Sequence, residues 1–377
     1  MKPSGAGLYV HFPFCAAKCP YCHFYSVPPS VAGLRTWLEG LAAEAAAASA
    51  AAGEGLRFDT LYIGGGSPSL LDPEDVARVR DLALAGFDLE PGEFTLEANP
   101  TADAAERLRG WRGAGVTRLS VGAQSFDDAV LRTLGRSHTA AEARRFCLEA
   151  RRAGFETLAV DLMTGIPGET PAALDRSLET LGEIGPDHVS LYLLENVEGL
   201  PFTEVLARQP VDEDAAADGF AKAAAALEAG GLRRYEISNF ARPGRECRHN
   251  LKYWRYEPFL GLGPSACSHA GGKRWCNRPS LTGWAEALGR GEGAREGEAV
   301  ELDPAAAARE ALAFGLRLVE GIDASAIEAR TGVDVLVGRS REIDDLVAEG
   351  LLVRTGQRLR IPADRLLVSN AILARLI

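Results

Sequence analysis

Residues 11–26, HFPFCAAKCPYCHFYS, gather three of the seven cysteines of this 377-residue chain in one short segment. Cys15, Cys19 and Cys22 have the spacing C-x3-C-x2-C and directly follow a run of strand-forming residues. In folds of alternating strands and helices, the loops after the strands carry the functional groups. The segment therefore predicts a site at the end of a first strand, and the pattern that follows it predicts the fold.

Along the next 180 residues, short β-branched or aromatic runs alternate with helical runs rich in alanine, leucine and arginine. We predict strands at 7–13, 58–64, 93–99, 116–122, 156–163 and 188–194. We predict helices at 31–52, 73–86, 102–113, 139–153 and 170–184. The alternation predicts an α/β fold with six βα units and a parallel sheet.

The C-terminal part is predicted to form a second, smaller unit. The alternation stops after residue 230, and the charged, glycine-rich residues 285–298 predict a junction, so we divide the chain into 1–285 and 299–377. Within the second unit, helices at 304–319, 323–331 and 338–348 and strands at 351–355 and 358–362 resemble a winged helix. Because the chain is acidic, we expect this unit to have a structural role.

Composition narrows the class of protein. Hydrophobic residues make up 46% of the chain and charged residues 25%, which indicates a globular protein. The formal charge of -11 and the pI of about 5.2 disfavour nucleic acid as a partner. The sequence contains no run of about 18 apolar residues, which a transmembrane segment would require. The N-terminus lacks the layout of a signal peptide. We therefore expect a cytoplasmic protein.

The cysteine count bears on redox chemistry. An odd number of cysteines without an export signal favours free thiols or metal ligands over a disulfide framework. Cys147 is isolated, and we predict that it packs as a small buried apolar residue. Cys247, Cys267 and Cys276 are spread over thirty residues.

Three clustered cysteines point to a particular kind of metal site. A structural zinc ion would need a fourth ligand, and His23, adjacent to Cys22, could supply one only in an unusual loop conformation. A [4Fe-4S] cubane can instead be held by three cysteines, which leaves the fourth iron open to a small molecule. An iron-sulfur cluster is therefore the favoured prediction, with zinc as the alternative.

The segment CAAKCPYC, residues 15–22, resembles the signature of the radical S-adenosylmethionine superfamily. The resemblance implies a partial (β/α)6 barrel of the TIM type, with the C-terminal helical, winged-helix-like module beside it. It also implies that the fourth iron of the cluster binds the amino and carboxylate groups of S-adenosylmethionine.

Further motifs follow in the order that this resemblance implies. In YIGGGSPSLL, residues 62–71, Gly65, Gly66 and Ser67 are expected to contact the methionyl part of S-adenosylmethionine. In LEANP, residues 96–100, Glu97 is expected to accept the ribose hydroxyls. Other expected neighbours of the cofactor are Tyr9, Tyr21, Gln124, Arg136 and Asp161. Taken singly, the motifs that carry Gln124, Arg136 and Asp161 are equally compatible with an ordinary turn.

The set of motifs is similar to the coproporphyrinogen dehydrogenase-like branch of the superfamily, which holds two functions. The dehydrogenases carry a further cysteine where this chain has Phe24, and a longer segment before the cluster loop. The sequence HNLKYW, residues 249–254, matches the H-N-x-x-Y-W motif typical of HemW-type heme chaperones. The resemblance therefore implies a heme-binding protein that delivers heme to acceptor proteins, including membrane-bound ones.

His249 is the expected heme contact, either as a ligand of the iron or as a close support. Tyr253 and Trp254 offer flat apolar surface for the macrocycle, and Asn250 a polar contact. Cys247 is a competing ligand, and a buried aromatic cluster without heme is the structural alternative. Two other functions stay open: an enzyme that modifies porphyrins, such as a coproporphyrinogen dehydrogenase, and a binding module in which the cluster only shapes the fold.

Overall fold

Strands and helices alternate through the first half of the chain, as the sequence predicts. The computed structural model describes residues 5–52, 56–102 and 104–377. In chain order, strands β1 to β15 are Ala6–Phe12, Phe58–Gly65, Leu89–Ala98, Arg118–Gln124, Thr157–Thr164, His188–Leu193, Arg233–Arg234, Asn239–Ala241, Phe259–Leu262, Cys267–Ala270, Lys273–Cys276, Val300–Glu301, Ile322–Asp323, Val353–Thr355 and Arg358–Arg360.

The helices are mostly those that the sequence predicts. In chain order, α1 to α14 are Val31–Ala52, Pro73–Gly86, Ala105–Gly113, Asp128–Thr133, Ala140–Ala153, Pro171–Ile184, Phe202–Arg208, Glu213–Ala229, Arg248–Trp254, Leu281–Gly289, Pro304–Gly315, Ala324–Thr331, Ser340–Ala348 and Ser369–Leu376. The capping residues explain why α5 has the predicted bounds. Thr139 and Glu142 form a capping box at its start, and Gly154, with φ of 79°, ends it.

Strands β1 to β6 are parallel neighbours in one sheet of twelve strands, ordered β12-β11-β10-β9-β1-β2-β3-β4-β5-β6-β8-β7. Strand β9 extends the sheet beyond β1 and β8 extends it beyond β6, so β1 and β6 do not pair with each other. The predicted partial (β/α)6 barrel is therefore confirmed: six βα units curve around a common interior, and later strands continue both edges.

The two faces of the parallel strands differ in polarity. One face carries apolar residues such as Leu8, Leu61 and Leu119, which are fully buried against the helices in the main core. The other face carries alternate residues that are polar, and these line the inside of the partial barrel. They include Thr60, Tyr62, Glu93, Thr95, Glu97, Arg118, Ser120, Asp161, His188 and Ser190.

The C-terminal residues form a second apolar core. Its members run from Ala308 to Leu376, and the small sheet β13-β15-β14 lies beside helices α11 to α14. The first core reaches Ala294, which lies within the predicted junction, residues 285–298. Residue 285 itself lies inside α10, and the domain bounds stay a prediction.

Two further sequence-based expectations meet different outcomes. Within the described residues, no helix combines the length and the apolar character that a membrane span requires. The expectation of free thiols is wrong for Cys267 and Cys276, which form a disulfide across β10 and β11. The other five cysteines are free.

Candidate functional site

The cluster loop lies directly after β1 and is held by backbone hydrogen bonds. The Cys15 amide donates to the Val27 carbonyl at 3.0 Å, and the Val27 amide donates to the Pro13 carbonyl at 2.8 Å. Within the loop, the Cys22 amide donates to the Cys19 carbonyl at 3.1 Å. All three cysteines are free and half-buried. Because their loop follows the C-terminal end of β1, their thiols lie at the open end of the barrel.

Polar side chains from three strand ends connect two of these cysteines, and we call this set the mouth group (Cys15, Cys19, Ser67, Asn99 and Arg136). Ser67 Oγ donates to Cys15 Sγ at 3.4 Å and accepts from Asn99 Nδ2 at 2.8 Å. Arg136 Nη2 donates to Asn99 Oδ1 at 2.6 Å, while its Nη1 donates to Cys19 Sγ at 3.3 Å. The cysteine loop is thereby tied to the segments that follow β2, β3 and β4.

The three cysteines do not form a site for a single metal ion. No group of three His, Cys, Asp or Glu side chains among the described residues is placed to hold a single metal ion. In a cubane each thiolate binds a different iron, so the arrangement is compatible with a cluster. The donors on Cys15 and Cys19 also suit thiolates, which accept hydrogen bonds.

The glycines at the end of β2 are required because β1 and the residues that follow it pack against them. Gly65 has φ of 109°, and a Cβ there would lie 2.5 Å from Cε1 of His11 in β1. A Cβ on Gly66 would lie 2.5 Å from the Phe14 carbonyl oxygen, and its amide donates to the Phe12 carbonyl at 2.7 Å. A side chain at Gly65 would therefore push against β1, and one at Gly66 would push against the start of the cluster loop.

Glu97 points into the barrel just below the mouth group. Its Oε1 accepts from the Tyr62 hydroxyl at 2.7 Å, and its Oε2 accepts from the Gly65 amide at 3.0 Å. Burial raises the pKa of Glu97, and the hydrogen bond from Tyr62 lowers it. Each carboxylate oxygen can accept more than one hydrogen bond, so Glu97 keeps acceptor capacity for a ligand.

The remaining predicted contacts of S-adenosylmethionine surround the same space. Gln124 ends β4 with a positive φ of 67°, and a Cβ on Gly122 would lie 3.0 Å from Gln124 Nε2. Burial raises the pKa of Asp161 to about 6, although hydrogen bonds with Ser190 and Ser120 lower it.

The two predicted tyrosines flank this space as well. The Tyr9 hydroxyl lies 3.0 Å from His11 Nδ1, and the Tyr21 ring packs edge-on against Phe202 at 6.2 Å between centroids.

His249 lies one layer deeper, in what we call the base group (Thr60, Glu93, His249 and Tyr253). It is 1% exposed, with Nδ1 2.8 Å from the Thr60 hydroxyl and Nε2 2.9 Å from the Tyr253 hydroxyl. Burial lowers the pKa of His249 to about 3. Both ring nitrogens are therefore engaged within the protein.

Glu93 explains why α9 begins where it does. Its carboxylate accepts the Arg248 amide at 3.1 Å and the His249 amide at 3.0 Å, and Cys247 Sγ lies 3.6 Å away. A carboxylate that accepts the first free amides of a helix stabilises its N-terminus. The structure thus makes the HNLKYW segment a helix anchored inside the barrel.

The two aromatic residues of that segment do not share one surface. Tyr253 packs edge-on against Phe259 at 4.7 Å between ring centroids. Trp254 instead faces the C-terminal module, where it contacts Phe314 and Arg317. Asn250 is half-buried, and Cys247 is fully buried.

Sequence reasoning missed Thr60, Glu93 and Arg118. Arg118 is 2% exposed, and its Nε has no hydrogen-bond partner in the structure. A detectable signal does exist, because buried parallel strands normally read as continuous apolar runs. Strands β2 to β4 alternate polar and apolar residues instead, which indicates a polar interior.

Comparison with known proteins agrees with this geometry. The model of the radical SAM superfamily matches residues 9–181, and the model of the HemN C-terminal domain matches residues 302–364. The fold and the cysteine loop thus define a radical SAM protein, a class whose members use a [4Fe-4S] cluster and S-adenosylmethionine.

Curated relatives identify the family within this class. The heme chaperone HemW of Mycobacterium tuberculosis is 35% identical and aligns over 98% of this chain and 94% of its own length. The mitochondrial radical S-adenosyl methionine domain-containing protein 1 of Bos taurus is 36% identical over 99% of this chain and 87% of its own length. The chain belongs to the HemW family of radical SAM proteins.

A solved structure supports the fold over the whole chain. The structure of coproporphyrinogen III oxidase, HemN, from Escherichia coli matches with a TM-score of 0.86 and covers 99% of this chain and 90% of its own. The sequence identity is 22%, so this likeness concerns the fold alone.

Proposed function

We propose that this protein is a heme chaperone, which binds heme and delivers it to acceptor proteins. The observation that carries the proposal is the 35% identity to a heme chaperone over 98% of the chain. The match to that relative includes both the barrel and the C-terminal module. We further propose that the protein acts in the cytoplasm and that the division at 285–299 separates two domains.

The mouth group, together with Cys22, is proposed to hold the iron-sulfur cluster. Cys15, Cys19 and Cys22 would bind the iron-sulfur cluster, with Ser67 and Arg136 donating to two of the thiolates. When bound, the cluster would supply electrons and an open iron for S-adenosylmethionine.

The residues that surround the space below the cluster are proposed to bind S-adenosylmethionine. Their polar groups converge from the ends of β2 to β5, and Glu97 lies among them with acceptor capacity to spare. The proposed contacts are Tyr9, Tyr21, Gly65, Gly66, Ser67, Glu97, Gln124, Arg136 and Asp161.

Two histidines are candidates for the residue that contacts the heme. His249 stays the first, in the role of a close support, since direct ligation would require one of its ring nitrogens to give up its bond to Thr60 or Tyr253. His23 is the second, because it is an exposed imidazole that lies against Phe24, with 4.7 Å between ring centroids and 33° between the ring planes. Phe24 is itself 53% exposed and offers a flat apolar surface beside it.

A porphyrin-modifying enzyme is the second candidate function. The fold shared with coproporphyrinogen III oxidase over 99% of the chain favours it. Phe24 stands where the dehydrogenases are expected to carry a further cysteine, which disfavours that particular reaction. No decarboxylation of coproporphyrinogen is therefore expected.

Anaerobic reconstitution followed by two titrations tests the proposal. We expect heme to give a Soret shift and to pass to an apo-acceptor protein, and coproporphyrinogen to give no new porphyrin product. Product formation in step with consumption of S-adenosylmethionine would establish the enzyme instead. If the protein does not bind heme while its cluster is fully loaded, the chaperone proposal is wrong. The alternative of a binding module, in which the cluster only shapes the fold, would then be favoured.

Variants of the two histidines identify the ligand. H23A should shift the Soret band and weaken heme binding if His23 binds the iron, whereas H249A should weaken binding without changing the band. The reverse pattern would place the iron on His249. Both variants should retain the iron-sulfur absorption, because the cysteine ligands are unchanged.

A further inference from the structure

The turn of the hairpin β10–β11 determines the register in which its two strands pair. Gly271 and Gly272 form a two-residue loop with positive φ values of 59° and 73°. A loop of this kind requires positive φ at both positions and fixes the pairing of the strands. Ala270 pairs with Lys273, and counting back along both strands sets Cys267 opposite Cys276.

Directly opposite residues on antiparallel strands are close enough for their side chains to react. The Cα atoms of Cys267 and Cys276 are 4.0 Å apart, and the two residues form a disulfide. Both cysteines are exposed, unlike the fully buried Cys147 and Cys247. The pair can therefore be reached by small thiols and oxidants.

The cysteines share their face of the hairpin with residues that contact the C-terminal module. His269 and Arg274 lie on this face, since side chains two residues apart on a strand point the same way. Arg274 forms an ion pair with Glu310 of α11 at 2.7 Å, and Tyr256 donates to the same carboxylate at 2.9 Å. The ring of His269 packs against Tyr256, with 4.3 Å between centroids and 43° between the ring planes.

The opposite face of the hairpin is anchored in the barrel. Ser268 is buried, and its hydroxyl accepts the Gly261 amide of β9 at 2.9 Å. Trp275 packs against the main core. The hairpin therefore stays in place whether or not the two cysteines are bonded, and the cysteine pair can change its redox state without unfolding the sheet.

We propose that Cys267 and Cys276 are a reversible thiol–disulfide pair, a modification site that responds to small disulfides. One thiolate attacks a disulfide RSSR and releases RS⁻, and the second thiolate attacks the resulting mixed disulfide and releases another RS⁻. The two cysteines lose two electrons and two protons, and RSSR becomes two RSH. A small dithiol reverses the reaction.

Oxidation closes a covalent link across the hairpin beside the contacts with Glu310. The bonded form holds β10 and β11 in one register, and the reduced form leaves only a short hairpin of four residues per strand. Exposed disulfides are the labile and regulatory ones, and in a reducing cytoplasm a disulfide generally has such a role.

Redox titration of the full-length, cluster-loaded protein tests the inference. The protein is equilibrated anaerobically with mixtures of oxidised and reduced glutathione, alkylated, digested and read by peptide mass spectrometry. We expect Cys267 and Cys276 to pass together from two alkylated thiols to a disulfide within the accessible range of mixtures. Cys147 and Cys247 serve as internal controls and should stay reduced throughout.

A single variant sharpens the result. In C267S the remaining Cys276 should accumulate a mixed disulfide with glutathione, because no second thiol is present to release it. The C267S/C276S variant should keep the iron-sulfur absorption and lose all redox dependence of amide exchange in the hairpin. Cysteines that stay reduced in the most oxidising mixture, or stay bonded in the most reducing one, would overturn the inference.

Discussion

The mouth group and the base group are both polar clusters inside one barrel, yet their hydrogen bonds differ. In the mouth group, Ser67 and Arg136 donate to half-buried thiols at the open end of the barrel. In the base group, His249 is buried and both of its nitrogens have protein partners. The mouth therefore has groups available for a ligand, whereas the base uses its polar groups to hold the protein together.

This difference has an energetic basis. A buried polar side chain costs free energy unless its hydrogen bonds are made inside the protein, so the base group is stable only when complete. Groups at the mouth keep access to water or to a ligand, and single changes there cost less stability. We therefore expect substitutions at the mouth to impair binding and substitutions at the base to impair folding.

The largest expected effect is loss of the cluster on removal of a mouth cysteine. C19A should abolish the broad visible absorption, whereas the parent should take up about four irons and four sulfides per chain on reconstitution. C147A is the matched control, since Cys147 is buried within α5 away from the mouth. Full iron uptake by C19A would show that another residue supplies the third ligand.

The next effect concerns stability at the base. H249A leaves the hydroxyls of Thr60 and Tyr253 without their partner and opens a cavity, so the free energy of unfolding should fall by about 2 to 4 kcal/mol. Chemical denaturation of the apo-protein measures it. S67A, at the mouth, is the comparison and should change stability by less than about 1.5 kcal/mol. Equal losses for the two variants would remove the distinction between mouth and base.

The third effect concerns S-adenosylmethionine. E97A should weaken its binding by about 1.5 to 3 kcal/mol for each charged hydrogen bond that is lost. E90A is the control, because Glu90 is an exposed residue on the same strand. Equilibrium binding to the reconstituted protein gives both dissociation constants, and an unchanged value for E97A would place the ribose elsewhere.

The smallest effect is a change in the pH dependence of stability. Burial lowers the pKa of His188 well below its usual value, so below about pH 6.5 the unfolded chain binds a proton that the folded protein does not. Stability should therefore fall as the pH falls through this range. In H188Q the free energy of unfolding should change less steeply with pH between pH 6.5 and 5, by up to the equivalent of one bound proton. Denaturation midpoints measured across this range give the slope. A slope identical to that of the parent would show that His188 is protonated in the fold.

Local patterns in the sequence were sufficient for the βα units and the cluster loop. Predicted helices 31–52 and 73–86 match α1 and α2 at both ends, because the alanine content of α1 and the proline in the first turn of α2 act locally. Helices α4, α7 to α10 and α14 and strands β7 to β13 escaped prediction. The conformation of these short strands depends on pairing with strands that are distant in the sequence.

The sequence by itself determined the cysteine loop, the order of the motifs and the family, since each depends on residue types at close spacing. Only the tertiary structure decided which motifs keep polar groups available and which are paired within the protein. His249 meets Thr60 across 189 residues and Glu93 across 156, and nothing in the HNLKYW segment encodes those partners. Likewise, Cys267 and Cys276 became a bonded pair only because a two-residue turn set their register. Burial and hydrogen bonding belong to the folded chain, and they separate a binding site from a structural support.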